Sequence, residues 1–216
     1  MKAKSRYTSA AANETQGLQD KLSRLSTLIY KALTRLLRSM EKGGLKEVIS
    51  GTEERKRIKG LENEIEEHCI RILVQEKGQP RFLRWAARAM IIVTLIEGAY
   101  QQIIMAMESI SVLTRKRRTS LHNDAISMAR LSRGMLRESI HAFLTMDEHL
   151  ARKVLQENAG LDQRKEAFFD QAFGFMIDHP ESLRETMRWL LISKRLERIG
   201  DHAGRIAEEV IFLARE

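Results

Sequence analysis

The sequence predicts an all-α fold, two tandem three-helix bundles related by an internal repeat. Three observations carry this. The chain repeats itself at a constant offset of one hundred residues: Pro80, Leu83, Arg84, Arg88, Ile92, Glu97, Glu108, Leu113 and Arg115 align without a gap with Pro180, Leu183, Arg184, Arg188, Ile192, Glu197, Glu208, Leu213 and Arg215. Chance gives roughly two identities over such a span on average residue usage. The match continues upstream through Leu36/Leu136, Ser39/Ser139, Gly60-Leu61/Gly160-Leu161 and Glu66/Glu166. A repeat of this kind decides the architecture before any single element does. Second, the composition, with 2 Pro and 6% aromatic residues, suits helices and disfavours sheets. Third, apolar residues recur every three or four positions between short connections, the pattern of amphipathic helices packed as antiparallel neighbours.

Each element follows from its own stripe or its own punctuation. Residues 1–15 are polar and are expected to be a disordered N-terminus. The first repeat spans 16–114. Its first helix is expected from Gln16 to Glu41, with Leu18, Leu22, Leu25, Leu28, Ile29, Ala32, Leu33 and Leu36 on one face, and Gly43-Gly44 ending it. The second runs from Leu45 to Gln75 on a stripe of Ile58, Leu61, Ile65, Cys69 and Ile72, with Gly51 marking an irregularity. Gly78-Gln79-Pro80 turns the chain. The third, Arg81 to Leu113, is apolar on several faces, as expected of a helix placed between neighbours. The second repeat spans 121–216. A fourth helix runs from Leu121 to Met146, and Asp147 is the N-cap of a fifth that reaches Ile177. Asp178-His179-Pro180 leads into a sixth beginning at Leu183.

Composition narrows the function classes. At 43% hydrophobic the chain can bury a core, and its single Cys69 has no partner for an internal disulfide. Cys69 lies among Ile65, Ile70 and Leu73 and reads as a core residue. A reducing compartment fits one cysteine. The first fifteen residues lack the apolar centre of a signal peptide, and the run Met90–Ile96 is too short to span a bilayer. The expected location is cytoplasmic. The net charge of +8 raises nucleic acid, an anionic membrane surface or an acidic partner as targets. Interleaved aromatics, zinc ligands and a helix-turn-helix pattern are missing, which argues against nucleic acid. No Gly-rich phosphate loop, His-rich ligand set or nucleophile–base pair is present, so the chain reads as a non-enzyme. Met105, Met107, Met176 and Met187 sit at core-like spacings and read as packing. His179 is expected in solvent and His202 at a boundary.

The last helix is the most specific stretch. Leu196-Glu197-Arg198-Ile199-Gly200-Asp201-His202-Ala203, followed by Ile206-Ala207-Glu208, combines apolar spacing, an interior Gly and carboxylates at i and i+4 on one side of the helix. It closely resembles the signature helix of the PhoU family, with Arg205 standing where that family usually has Asn. The family is known for a duplicated three-helix bundle, so the resemblance extends, weakly, to nearly the whole chain.

The resemblance implies a regulator of phosphate transport and phosphate-starvation signalling: a cytoplasmic adaptor on the ATPase subunit of a phosphate transporter, on a membrane sensor kinase, or on both. The alternative is an accessory protein of a different phosphate or anion transporter. Peripheral contact with a membrane and pairing with a second copy are left open. The resemblance also implies metal clusters, divalent or iron-type, held by Glu/Asp-x-x-x-Asp pairs, since carboxylates one turn apart converge on hard or borderline cations. In repeat 2 the candidates are Glu197, Asp201, Asp162 and Glu166. Repeat 1 is poorer: Gln101 replaces the acid aligned with Asp201, and Arg55 and Lys59 precede Leu61-Glu62. The competing expectation is that Glu197 and Asp201 pair with Arg198, Arg205 or a neighbouring helix. For partner contacts the candidates are the basic run Arg115, Lys116, Arg117 and Arg118 between the repeats, and Arg195, Arg198 and Arg205 on the last helix. A purely solvated role for these residues is the other reading.

Overall fold

A computed structural model describes the backbone of residues 2–42, 51–75, 80–113 and 120–215, and side chains from residue 14 onward within these segments, except at 51, 52, 75 and 81. Six α-helices follow in order: α1 Lys2–Lys42, α2 Gly51–Gln75, α3 Pro80–Ser111, α4 Ser120–Thr145, α5 Glu148–Asp178 and α6 Leu183–Ala214, with a single 3₁₀ turn at Pro180–Ser182. No strand occurs among the described residues. Helices α1, α2 and α3 pack on one another, as do α4, α5 and α6, and the two bundles meet through α3 against α6 and α1 against α4. Like therefore meets like across the seam, third helix on third and first on first.

One boundary differs clearly from expectation. Residues 2–15 are helical and continue α1 without a break, where the sequence suggests a disordered tail. Glu14, near the end of this stretch, lies 2.6 Å from His68 Nε2 on α2, a contact that periodicity does not see. The basic run 115–118 and the Gly43-Gly44 and Gly78-Gln79 turns lie outside the described residues. Gly51 is the first residue of α2.

The α4–α5 corner shows how local chemistry sets the fold. Asp147 N–H donates to Ala142 O at 2.9 Å and Met146 N–H to Phe143 O, closing α4 with the 6→1 and 5→2 bonds of a Schellman motif. Met146 takes the left-handed conformation this requires, at φ 55°. Asp147 then caps α5, its carboxylate accepting from Leu150 N–H at 2.9 Å, as the sequence predicts. At the next corner Pro180 opens the 3₁₀ turn, where its missing N–H costs nothing.

The core is continuous through both bundles, from Leu18, Leu22 and Leu25 on α1 to Ile199, Ala203 and Ile206 on α6. Trp85 of α3 stacks on Phe143 of α4 at 5.4 Å across the seam. Two polar side chains inside are paired to backbone across the helices: His122 Nε2 lies 2.7 Å from Met40 O, and Ser132 Oγ donates to Leu196 O at 2.9 Å. Cys69 is fully buried, and burial pushes its thiol up to about 12, which removes the thiolate that reactivity needs. Two of its expected companions, Ile70 and Leu73, face out instead. Over Phe82–Ser111, α3 is long and apolar enough, by length and composition, to cross a membrane, a stretch longer than the run Met90–Ile96 suggests. Half of its most apolar window is buried inside the bundle, as for the core helix of a packed fold.

Candidate functional site

Helix α6 sets the geometry of the most specific motif. A Cβ added to Gly200 would lie 2.3 Å from Leu161 Cδ2 and 3.1 Å from Asn158 Oδ1, both on α5. The glycine is what lets α5 and α6 approach so closely. Around this contact lie Glu197, mostly buried, and half-buried Asp201 on α6, with half-buried Asp162 on α5. Burial raises the Asp201 carboxyl, and the charges of Glu197 and Asp162 raise it further; Arg198 and an Asn158 hydrogen bond oppose this. Asp201 also lies 3.8 Å from Arg198. Glu166, one turn beyond Asp162, is exposed.

A residue that sequence reasoning passes over stands in the middle. Lys165 Nζ donates to Glu197 Oε1 at 2.8 Å. That hydrogen bond is the largest influence holding the Lys165 ammonium in its charged form, and the charges of Glu197, Asp162 and Glu166 add to it. The signal was legible: Asp162-x-x-Lys165 is an i, i+3 pair, which puts acid and base on one face.

Repeat 1 holds a matching cluster. Glu62 is buried, and Lys59 Nζ lies 3.4 Å from Glu62 Oε2 and 3.2 Å from Glu97 Oε1. Burial, then the neighbouring Glu97, pushes the Glu62 carboxyl up to about 7 against the pull of Lys59. Two buried oxygens beside the clusters, Glu62 Oε1 and Asn158 Oδ1, have no protein hydrogen-bond partner. Among the described residues no group of three or more His, Cys, Asp or Glu is arranged to hold a metal. The donor set in each repeat already contains an ammonium group, so a metal on Glu197 or Glu97 would compete with a cation in contact with the same oxygen.

The second feature is a groove between α3 and α6. Met105, Ser109 and Val112 line one wall, and Leu183, Met187 and Leu191 the other, with Arg184, Arg188 and Arg195 among the lining residues. Its apolar residues are 40–56% exposed. Met105 and Met187 therefore do not belong to the interior, contrary to the sequence reading; only Met107 of the four methionines is fully buried. Leu183, Met187 and Leu191 recur at i, i+4 and i+8, a second apolar stripe beside the core stripe. Of the predicted basic contacts, Arg195 donates to Gln102 at 3.1 Å, Arg198 faces Asp201, and Arg205 is exposed. Half-buried His202 packs onto α3, where a Cβ on Gly98 would lie 2.4 Å from its ring; burial, then Arg205 and Arg198, lowers its basicity.

Against known proteins, residues 125–210 match the family model of the PhoU domain. The chain is 29% identical over 174 residues to the phosphate-specific transport system accessory protein PhoU homolog of Caulobacter vibrioides (strain NA1000 / CB15N), covering 76% of this chain and 71% of that one. A homolog of the same description from Xylella fastidiosa (strain 9a5c) is 36% identical over 87 residues, 40% of this chain and 37% of its own length. That alignment thus spans little more than a third of the relative. The fold matches the crystal structure of PhoU from Pseudomonas aeruginosa with a TM-score of 0.86 at 21% identity, covering 94% of this chain and 98% of that one. The phosphate transport system regulatory protein PhoU from Streptococcus pneumoniae matches at a TM-score of 0.85, also at 21% identity, over 94% and 96% of the two chains.

Proposed function

We propose that the chain, a divergent PhoU-like protein by its similarities, regulates phosphate transport by docking, as a cytoplasmic adaptor, on the ATPase subunit of a phosphate transporter, a membrane sensor kinase, or both. The observation that carries docking over catalysis is the α3–α6 groove. It offers exposed Met105, Val112, Leu183, Met187 and Leu191 beside Arg184 and Arg188. Apolar contact gives such a surface its affinity, and arginines give it a preference for acidic partners and a faster approach. The net charge of +8 acts in the same direction, toward an acidic partner or the anionic inner face of a membrane.

A second reading has an observation of its own. Gln101 and Arg205 depart from the pattern the family resemblance implies, and Lys165 contacts the first carboxylate of the Glu197/Asp201 pair. These departures favour service to a different phosphate or anion transporter. One experiment separates the two. The gene is deleted, and phosphate uptake and polyphosphate are measured under phosphate excess, alongside a pull-down from cells grown in high and low phosphate. The adaptor reading expects deregulated uptake, excess polyphosphate and recovery of a transporter or kinase subunit. Normal values with no such subunit recovered would leave the second reading in its place.

A further inference from the structure

The two acidic clusters are equivalent under the repeat. Glu62, Glu66 and Glu97 align with Asp162, Glu166 and Glu197 at the same offset of one hundred. Each cluster is contacted by one lysine, and the two lysines are not equivalent. Lys59 aligns with Ala159, and Lys165 aligns with Ile65. Lys59 stands three residues before Glu62; Lys165 stands three residues after Asp162. Three residues along a helix, in either direction, returns a side chain to the same face. Each repeat has thus placed an ammonium over its conserved-offset glutamate, Glu97 or Glu197, from opposite sides of the aligned acid.

We propose that Lys59 and Lys165 are the resident cations of these clusters, built into the chain in place of a divalent metal, so that this protein holds its bundle surfaces together without metal. The distances fit an ammonium. Lys59 Nζ bridges Glu97 Oε1 at 3.2 Å and Glu62 Oε2 at 3.4 Å, tying α2 to α3, and Lys165 Nζ meets Glu197 Oε1 at 2.8 Å, tying α5 to α6. A divalent ion on the same oxygens would sit at about 2.0–2.6 Å, in repulsive reach of the lysine. The carboxylates need a counter-charge: Glu62 is buried and Glu197 nearly so, and a buried carboxylate without a partner is costly. The remaining negative charge is moderated by other means. Asp201 has Arg198 and Asn158 beside it.

The test is metal binding by the full chain. Wild type, Lys59→Met, Lys165→Met and the charge-keeping Lys165→Arg are purified without chelator and dialysed against Mn²⁺, Zn²⁺ or Mg²⁺. Bound metal is measured by elemental analysis, and melting temperature is followed with metal and with EDTA. Wild type and Lys165→Arg are expected to retain no stoichiometric metal and to melt at the same temperature in every buffer. Lys165→Met is expected to melt lower, to gain affinity for Mn²⁺ by at least about tenfold as the repelling charge is removed, and to recover melting temperature when the ion is added. Lys59→Met is expected to behave likewise. Wild type holding about one metal per repeat, with a melting temperature lowered by EDTA, would overturn the proposal without any variant. So would methionine variants that fold and melt like wild type and gain no metal, since the lysines would then be solvated surface groups.

Discussion

Position 200 and its equivalent, position 100, separate the two repeats sharply. In repeat 2 the residue is Gly200, and α5 packs on α6 as closely as Leu161 allows. In repeat 1 it is Tyr100, fully buried, and α2 packs on α3 far less extensively than α5 does on α6. The same place in a duplicated helix is filled once by the side chains of Leu161 and Asn158 from the neighbouring helix and once by the residue's own phenol ring. The repeats share the helix register and the acids at 62/162, 66/166 and 97/197, but not the acid at 101/201 or the residue at 100/200. The family model matches within repeat 2, the repeat with glycine at this place.

The contrast can be broken from either side. Tyr100→Ala leaves a cavity in the core of repeat 1 and is expected to cost about 3–5 kcal/mol, as for other large aromatic truncations. Gly200→Leu overfills the contact with Leu161 and Asn158 and is expected to cost about 1–3 kcal/mol. Denaturant unfolding of both variants checks the pair. An unchanged midpoint for Gly200→Leu would show that α5 can move aside.

The acidic clusters sharpen the comparison through pH. Glu62 is raised from 4.5 to about 7, chiefly by burial. A carboxyl raised on folding holds its proton more tightly in the native state. Its contribution is therefore fully present below about pH 4.5 and is lost as pH rises through about 7. The groups facing it are Lys59 and Glu66 on α2 and Glu97 on α3. By linkage the loss is roughly 3 kcal/mol. Glu62→Gln should flatten this slope and leave the variant more stable than wild type above pH 7, measured by urea unfolding from pH 4 to 8. A slope that survives in the variant would assign it to another group.

The smallest effect is expected at Arg205, which is exposed beside Gly204. Arg205→Asn restores the residue the family usually has. Stability should stay within about 0.5 kcal/mol, as for surface positions generally. A weakened pull-down of the transporter or kinase subunit at unchanged stability would place Arg205 in the docking surface.

Much of this was legible because helix periodicity and the repeat reinforce each other. The stripes of α1, α4 and α6, the Asp147 cap and the Pro180 break are all local signals, and the structure places them within a few residues of expectation. What escaped depends on partners distant in sequence. In the helical stretch before Gln16, Glu14 meets His68, fifty-four residues away. Met105 and Met187 look like core residues by spacing but flank an open groove, because an amphipathic stripe does not say which stripe a neighbour covers. Lys165 is a mixed case: its i, i+3 spacing from Asp162 is a local signal, but its contact with Glu197 is seen only when α5 is laid against α6.

The seam between the bundles has a consequence for how the chain comes apart. Helix α3 gives one face to α2 and another to α6, with Arg88 Nη1 2.5 Å from Glu209 Oε2 and its guanidinium 4.0 Å above the Phe212 ring. A surface that joins third helix to third helix is of the self-matching kind by which two identical subunits pair. Here the two halves are covalently linked, so the association carries no dilution penalty. Neither bundle can then melt while the other keeps its apolar flank covered. Damage in either repeat is felt by both, and calorimetry of the intact chain should record one heat-absorption peak rather than two.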